Sequence, residues 1–250
     1  MPASGWGASN RLILLISVRI AAALTLALLP TPALAQAYQC VAPASVGLGQ
    51  PPKPDGPAVR KPISGYTLAL SWSPEFCRTR RSNPDQAVQC SGQSGRFGFV
   101  VHGLWPEAKS GPAPQWCSLT PRPKPETIRA NLCMSPSAKL IEHEWAKHGS
   151  CMAKSAEGYF RVVNVLWGAL NMPEMERLSR QDSLTAADLR SAFVTLNPGW
   201  RADAVGVQVN RNGWLREVQL CYDRKFLPTP CSRRTFGAGN KTKLKIWRGL

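Results

Sequence analysis

The three histidines of this chain fall in two short words, HGLWP from His102 to Pro106 and HEWAKHGSC from His143 to Cys151. Imidazole titrates near neutrality, so one ring can take a proton while another gives one, and such a pair needs no metal. Glu144 and Lys147 set an acid and a base beside the rings. On a helix turning 100° per residue, His143 and His148 point about 140° apart, whereas the zinc word HExxH needs i, i+4 spacing to put both rings on one face. The spacing disfavours zinc. Glu144 and His148 are i, i+4 neighbours instead, and so are His143 and Lys147, so Glu144 can orient or charge-support His148 while His143 and Lys147 form an electropositive edge. Alone, a strand-end histidine or a Glu-His helix pair is ordinary surface, and Trp105 and Trp145 are ordinary core. The conjunction of the two words carries the chemistry.

The elements that must position these residues are partly legible. Tyr66 to Ser71 alternates as a strand, and Phe97 to Val101 reads as a buried strand that delivers His102 into a glycine-containing turn. From Ser137 the run Ala138-Lys139-Leu140-Ile141 leads into the second word, with Leu140, Ile141 and Trp145 at helical spacing and Gly149 as a stop. A strongly apolar helix is expected over Tyr159 to Asn171, and Thr185 with Asp188 reads as the start of another that Pro198-Gly199 ends. Ala204 to Val209 and Trp214 to Tyr222 alternate around Asn212-Gly213 as an antiparallel hairpin. Strands at both ends with helices between, and no βαβ repeat, predict an α+β domain.

Residues 1–35 read as a secretory signal, with Arg11 in a polar start, an apolar run from Ile20 to Leu29 and the small-residue exit Ala33-Leu34-Ala35. Arg19 splits the apolar stretch, so neither part reaches the roughly 20 residues of a spanning helix, and stable membrane insertion is not expected. Residues 36–61 form a Pro/Gly-rich lead-in without regular structure, and residues 62–250 a single catalytic domain. All eight cysteines follow the signal. An even count in an exported chain suits four disulfides, in a periplasmic or extracellular setting, among 105 possible pairings.

Thirty-one Lys and Arg against fifteen Asp and Glu give a net charge of +16, and loss of Arg11 and Arg19 with the signal leaves +14. Such an excess steers polyanions, whether nucleic acid, anionic lipid or acidic polysaccharide. Basic residues cluster at Arg78, Arg80 and Arg81 and again at Lys241, Lys243, Lys245 and Arg248, while nine tryptophans and four tyrosines offer stacking surfaces for unpaired bases.

The two words resemble the active-site segments of the ribonuclease T2 family. Leu68-Ala69-Leu70-Ser71-Trp72-Ser73-Pro74 and Glu217-Val218-Gln219-Leu220-Cys221-Tyr222-Asp223 extend the resemblance over roughly Tyr66 to Cys231. It implies an α+β fold with a central antiparallel sheet packed with helices, and an exported enzyme that cleaves RNA without a metal. Single-stranded RNA is the expected substrate, DNA is not, since it lacks the 2'-OH, no cofactor is expected, and the oligomeric state is left open with a monomer expected. It further implies His148 as general base, His102 as general acid, Glu144 and Lys147 supporting charge on phosphorus, and His143 binding the phosphate. Spacing by itself does not decide which imidazole takes which proton.

Trp105 matches the family's stacking aromatic at the first base site, and Glu107 stands where an aspartate is often found, which leaves base preference open. Pro136 and Ser137 fall where some members contact the next base, or simply start a helix. The resemblance also implies disulfides Cys77 with Cys90, Cys117 with Cys151 and Cys221 with Cys231, leaving Cys40 and Cys133. Two other readings stand beside it: a zinc hydrolase, which a chelator would inactivate, and a secreted RNA binder on the same fold with catalysis lost.

Overall fold

A computed structural model describes residues 1–2, 37–38 and 40–249. The signal expected over residues 1–35 lies, beyond its first two residues, outside the described residues. Ala35–Leu250 forms one compact unit.

The strands are β1 (Ala37–Tyr38), β2 (Gly65–Trp72), β3 (Arg96–Phe97), β4 (Phe99–Glu107), β5 (Val205–Val209) and β6 (Leu215–Asp223). β1 pairs with β3, and a four-stranded antiparallel sheet runs in the order β4-β2-β6-β5. Helices α1 (Ser73–Cys77), α2 (Ala87–Cys90), α3 (Pro125–Asn131), α4 (Ala138–Lys147), α5 (Ala156–Gly168), α6 (Met175–Leu178), α7 (Ala186–Leu196) and α8 (Arg233–Phe236) complete the α+β architecture.

Strand alternation divides the sheet into two faces. Leu68, Leu70, Phe99, Val101, Leu104, Val205, Val207, Val218 and Leu220 enter the core with Ile141 and Trp145 of α4, Tyr159, Phe160 and Val163 of α5, and Leu189 and Phe193 of α7. The opposite face is polar: Ser71, His102, Glu217, Gln219 and Gln208 are joined by side-chain hydrogen bonds, and Thr67 bonds Glu107 beside them.

Between those faces β4 changes step. Leu70 pairs with Val101 and Ala69 with Gly103, so His102 is the extra residue of a β-bulge. Val101 and Leu104 both reach the core although three apart, which an even alternation forbids, and His102 and Gly103 are turned together toward the polar side. The expected end of this strand at His102 is thereby corrected, since β4 runs on to Glu107. Gly103 reads as a turn residue, but it lies within β4, and Pro106 is accommodated because β4 is an edge strand, where a missing proline N–H breaks no ladder bond. The outward groups of that edge are bonded, Leu104 through its N–H and carbonyl to the Tyr159 hydroxyl and Val101 through its N–H to the Met134 carbonyl.

The Ser137 hydroxyl caps α4 by accepting the Leu140 N–H at 3.2 Å. Thr185 and Asp188 form a reciprocal capping box on α7. The hairpin between β5 and β6 turns through Gly213 at φ 79°. α5 starts three residues before Tyr159 because Ser155 caps it, and it ends at Gly168 rather than Asn171.

The expectation of a lead-in without regular structure over residues 36–61 is corrected at Ala37–Tyr38, which pair with β3 as β1, while residues 40 to 61 hold no helix or strand beyond a single bridge of Val59 to Gln115. The path of the lead-in is nonetheless fixed. Arg129 donates to the Pro43 carbonyl at 3.0 Å and Arg122 to the Gly49 carbonyl at 2.8 Å, while Arg122 also pairs with buried Glu142 of α4.

Four disulfides join Cys77 to Cys90, Cys117 to Cys151 and Cys221 to Cys231, the three pairs the resemblance implied, and Cys40 to Cys133, the two cysteines left over. The Cys117 link closes 34 residues and ties the segment of Trp116 to the end of α4. Chain-entropy arguments make a loop of that length worth about 4 kcal/mol. Double replacement of Cys117 and Cys151 by serine should therefore lower the urea midpoint and, by loosening the end of α4, reduce turnover in parallel. An unchanged midpoint would show that the link constrains nothing.

Candidate active site

The bulge on β4 and the last turn of α4 bring the two words together. His102 projects from the bulge, Glu144 lies one turn before the end of α4, and His148 is its C-cap. Glu144 is 3% exposed and stands between the rings, with Oε1 3.7 Å from His102 Nε2 and Oε2 4.0 Å from His148 Nε2. The Trp105 indole N–H donates to Glu144 Oε2 at 2.8 Å, and its ring lies 5.1 Å from His102 and 5.7 Å from His148. Gly103 makes room for this carboxylate, since a Cβ there would lie 2.0 Å from Glu144 Oε2.

The electrostatics of the two imidazoles are opposed. Burial alone would depress His102, but the hydrogen bond from its Nδ1 to Glu217 and the charges of Glu144 and Glu217 outweigh it, raising the ring from 6.5 to about 9. Burial depresses His148 to about 3, and the charges of Lys147, His143 and His102 act in the same direction. His148 Nδ1 is buried without a hydrogen-bonding partner among the described residues, which also disfavours the charged ring. Burial lifts Glu144 to about 7, although the charge of His102 and the Trp105 N–H pull against it. One ring is thus held charged and the other neutral around a single carboxylate.

His143 and Lys147 share another edge of α4. The Lys147 ammonium is 2.6 Å from Asp55 Oδ2, His143 Nε2 is 3.8 Å from the same oxygen, and the Trp116 indole donates to Asp55 Oδ1 at 3.0 Å. The Lys147 hydrogen bond holds Asp55 below the usual carboxylate range, and burial followed by the Lys147 charge lowers His143. Sequence reasoning left Asp55 in an unassigned lead-in, where no periodicity marks it.

Glu107 lies at the end of β4, away from this cluster, and accepts from Thr67 Oγ1 at 2.8 Å and from Arg234 at 3.1 and 3.2 Å. Pro136 and Ser137 border an open cleft that also takes in His102, His143, Glu217 and Asp55. Ser137 therefore serves both as helix cap and as cleft wall. Glu217 is the other residue without an assigned role in the sequence reading; it sits in the Glu217 to Asp223 word, but nothing local couples it to His102.

Residues 64–231 match the sequence model of the ribonuclease T2 family. A probable ribonuclease of Haemophilus influenzae is 33% identical over 193 residues, covering 72% of this chain and 65% of that protein. A ribonuclease of Aeromonas hydrophila is 39% identical over 101 residues, 40% of this chain and 43% of its own length. The chain thus spans less than two thirds of either relative. Among solved structures, an RNase-related protein from Calystegia sepium superposes with a TM-score of 0.58 at 21% identity, covering 74% of this chain and 98% of that one. At that identity the likeness is one of fold.

Proposed function

The chain belongs to the ribonuclease T2 family, and from that premise we propose that it is an endoribonuclease that cleaves single-stranded RNA through its own 2'-OH, without a metal. The observation that carries this reading is the placement of His102 and His148 on either side of one buried carboxylate, where His102 is raised against burial by its bond to Glu217 and His148 lowered by burial. RNA holds its nucleophile beside the phosphorus, so the protein has only to move two protons and stabilise the phosphoryl charge. Neutral His148 takes the 2'-OH proton as the O2'–P bond forms, and protonated His102 gives its Nε2 proton to the 5' oxygen as the P–O5' bond breaks. The products are a 2',3'-cyclic phosphate and a free 5'-OH. Water then opens the ring to a 3'-phosphate with the two rings in exchanged roles.

Glu144 and Lys147 support charge on phosphorus and His143 binds the phosphate. Trp105 and Glu107 would form the first base site, with Glu107 at its far end already accepting from Thr67 and Arg234. The four disulfides suit an oxidising, extracytoplasmic compartment, and residues 1–35 would direct export there. No described helix is long and apolar enough to cross a membrane.

Incubation of the mature protein with a short defined RNA and its DNA counterpart in the presence of a chelator tests the reading. RNA should be cleaved, with cyclic phosphate dominating the mass spectrum at low conversion, and DNA left intact because it lacks the nucleophile. Cleavage of both polymers, 5'-phosphate ends, or loss of activity on chelation would overturn it.

A further inference from the structure

Glu217 stands on β6 directly opposite Ser71 of β2, and β2 separates it from the strand that carries His102. Neighbouring strands lie about 4.8 Å apart, so a side-chain bridge from β4 to β6 has to cross roughly twice that distance over the strand between them. The crossing is open because β2 presents only small residues there, Ala69 and Ser71. The bulge supplies the rest of the reach by turning His102 out of the ladder. As a result Glu217 Oε1 accepts from His102 Nδ1 at 2.8 Å.

The carboxylate is itself held. Oε1 also accepts the Ser71 hydroxyl at 3.3 Å, and Oε2 accepts the Gln219 amide at 2.7 Å, with Gln219 held in turn by Gln208. Its side chain is 14% exposed, so an unpaired charge there would be costly, and the imidazolium is its cationic partner. A hydrogen at Nδ1 committed to Glu217 leaves Nε2 as the nitrogen that faces Glu144 and the cleft.

We propose that Glu217 is a positioning residue that fixes the tautomer, orientation and charge of His102 and thereby designates it the general acid. This rests on the acid–base reading above. The charged and titratable groups that face His102 are Glu217 from β6 and Glu144, Lys147, His143 and His148 from α4 and its cap. Of these the carboxylates favour the imidazolium and the cations oppose it. Removing Glu217 leaves Glu144 alone against burial and the Lys147 charge, so the ring loses its proton at lower pH.

The experiment compares wild type with Glu217→Gln on two substrates, a dinucleoside phosphate and a uridine 3'-(4-nitrophenyl phosphate). The amide keeps the shape and can still accept from Nδ1, but it carries no charge. Loss of a charge in direct contact is expected to move the alkaline limb of kcat/KM for the dinucleotide down by ~1–3 pH units. At pH 8 that lowers its cleavage by up to ~10²-fold, the lower range of general-acid help. The nitrophenolate leaves without protonation, so the aryl ester should be cleaved at nearly the wild-type rate.

Equal losses on both substrates, or an alkaline limb that does not move, would overturn the role of Glu217. The parent reading fails separately, if wild type forms no cyclic phosphate from either substrate. Should the variant not fold, long-range nitrogen–proton spectra of the wild type decide. His102 should keep both ring protons past pH 8, and titration at or below the ordinary 6.5 would overturn the proposal.

Discussion

Replacing His102 or His148 by alanine is expected to lower turnover on RNA by ~10²- to 10⁴-fold in each case, the usual worth of a positioned acid or base. The double variant should lose little beyond the worse single one, because in the proposed mechanism the two rings serve one concerted displacement and their effects do not add. The pair is distinguishable by leaving group. His148→Ala should stay defective on an aryl ester, since the 2'-OH still has to be deprotonated, whereas His102→Ala should recover there. Single-turnover rates on both substrates, with circular dichroism to verify folding, check this. Retention of most wild-type activity by either folded variant would remove that ring from the mechanism.

Gly103→Ala is the second large effect. The added Cβ would lie 2.0 Å from Glu144 Oε2, 2.7 Å from its Cδ and 2.7 Å from Trp105 Nε1. Glu144 cannot swing into solvent, being 3% exposed and bonded to Trp105, so α4 has to move away from β4. Overpacking of this kind costs about 1–3 kcal/mol. A displacement of about 1 Å between the two words should reduce turnover by roughly 10²-fold. Gly168→Ala is the control: nothing lies within 4 Å of its Cβ position, and it should be neutral or slightly stabilising. Urea unfolding and turnover of the two variants, measured side by side, test the contrast. Equal behaviour would mean that Gly103 is a turn residue after all and not a window for the carboxylate.

That contrast also shows where sequence reasoning stops. The helix of the second word was legible because a hydroxyl cap, apolar residues at helical spacing and a following glycine agree over a dozen positions. The hairpin of β5 and β6 was legible for the same reason, since alternation and Asn212-Gly213 point to one answer. The bulge was not, because it is a relation between two strands. Gly103 carries a turn signal although it lies within β4, and Pro106 is accommodated there because β4 is an edge strand. Glu217 and Asp55 stayed without roles for a further reason. One acts across an intervening strand and the other from a proline-rich segment, and neither geometry leaves a period in the chain.

Asp55 is a resident counterion. It lies on the lead-in, where Lys147 and His143 would otherwise face the solvent unpaired, and with its side chain 49% exposed the contact is worth little. Under the proposed function, an incoming phosphodiester would exchange with a carboxylate instead of entering an empty field. A lone small anion gains almost nothing by that exchange, because one weak ion pair replaces another. A polymer would gain more, since its neighbouring phosphates could reach further cations, such as Arg80 and Arg216 along the same cleft. Under the proposed function the lead-in would thus favour longer RNA chains over lone anions at this edge.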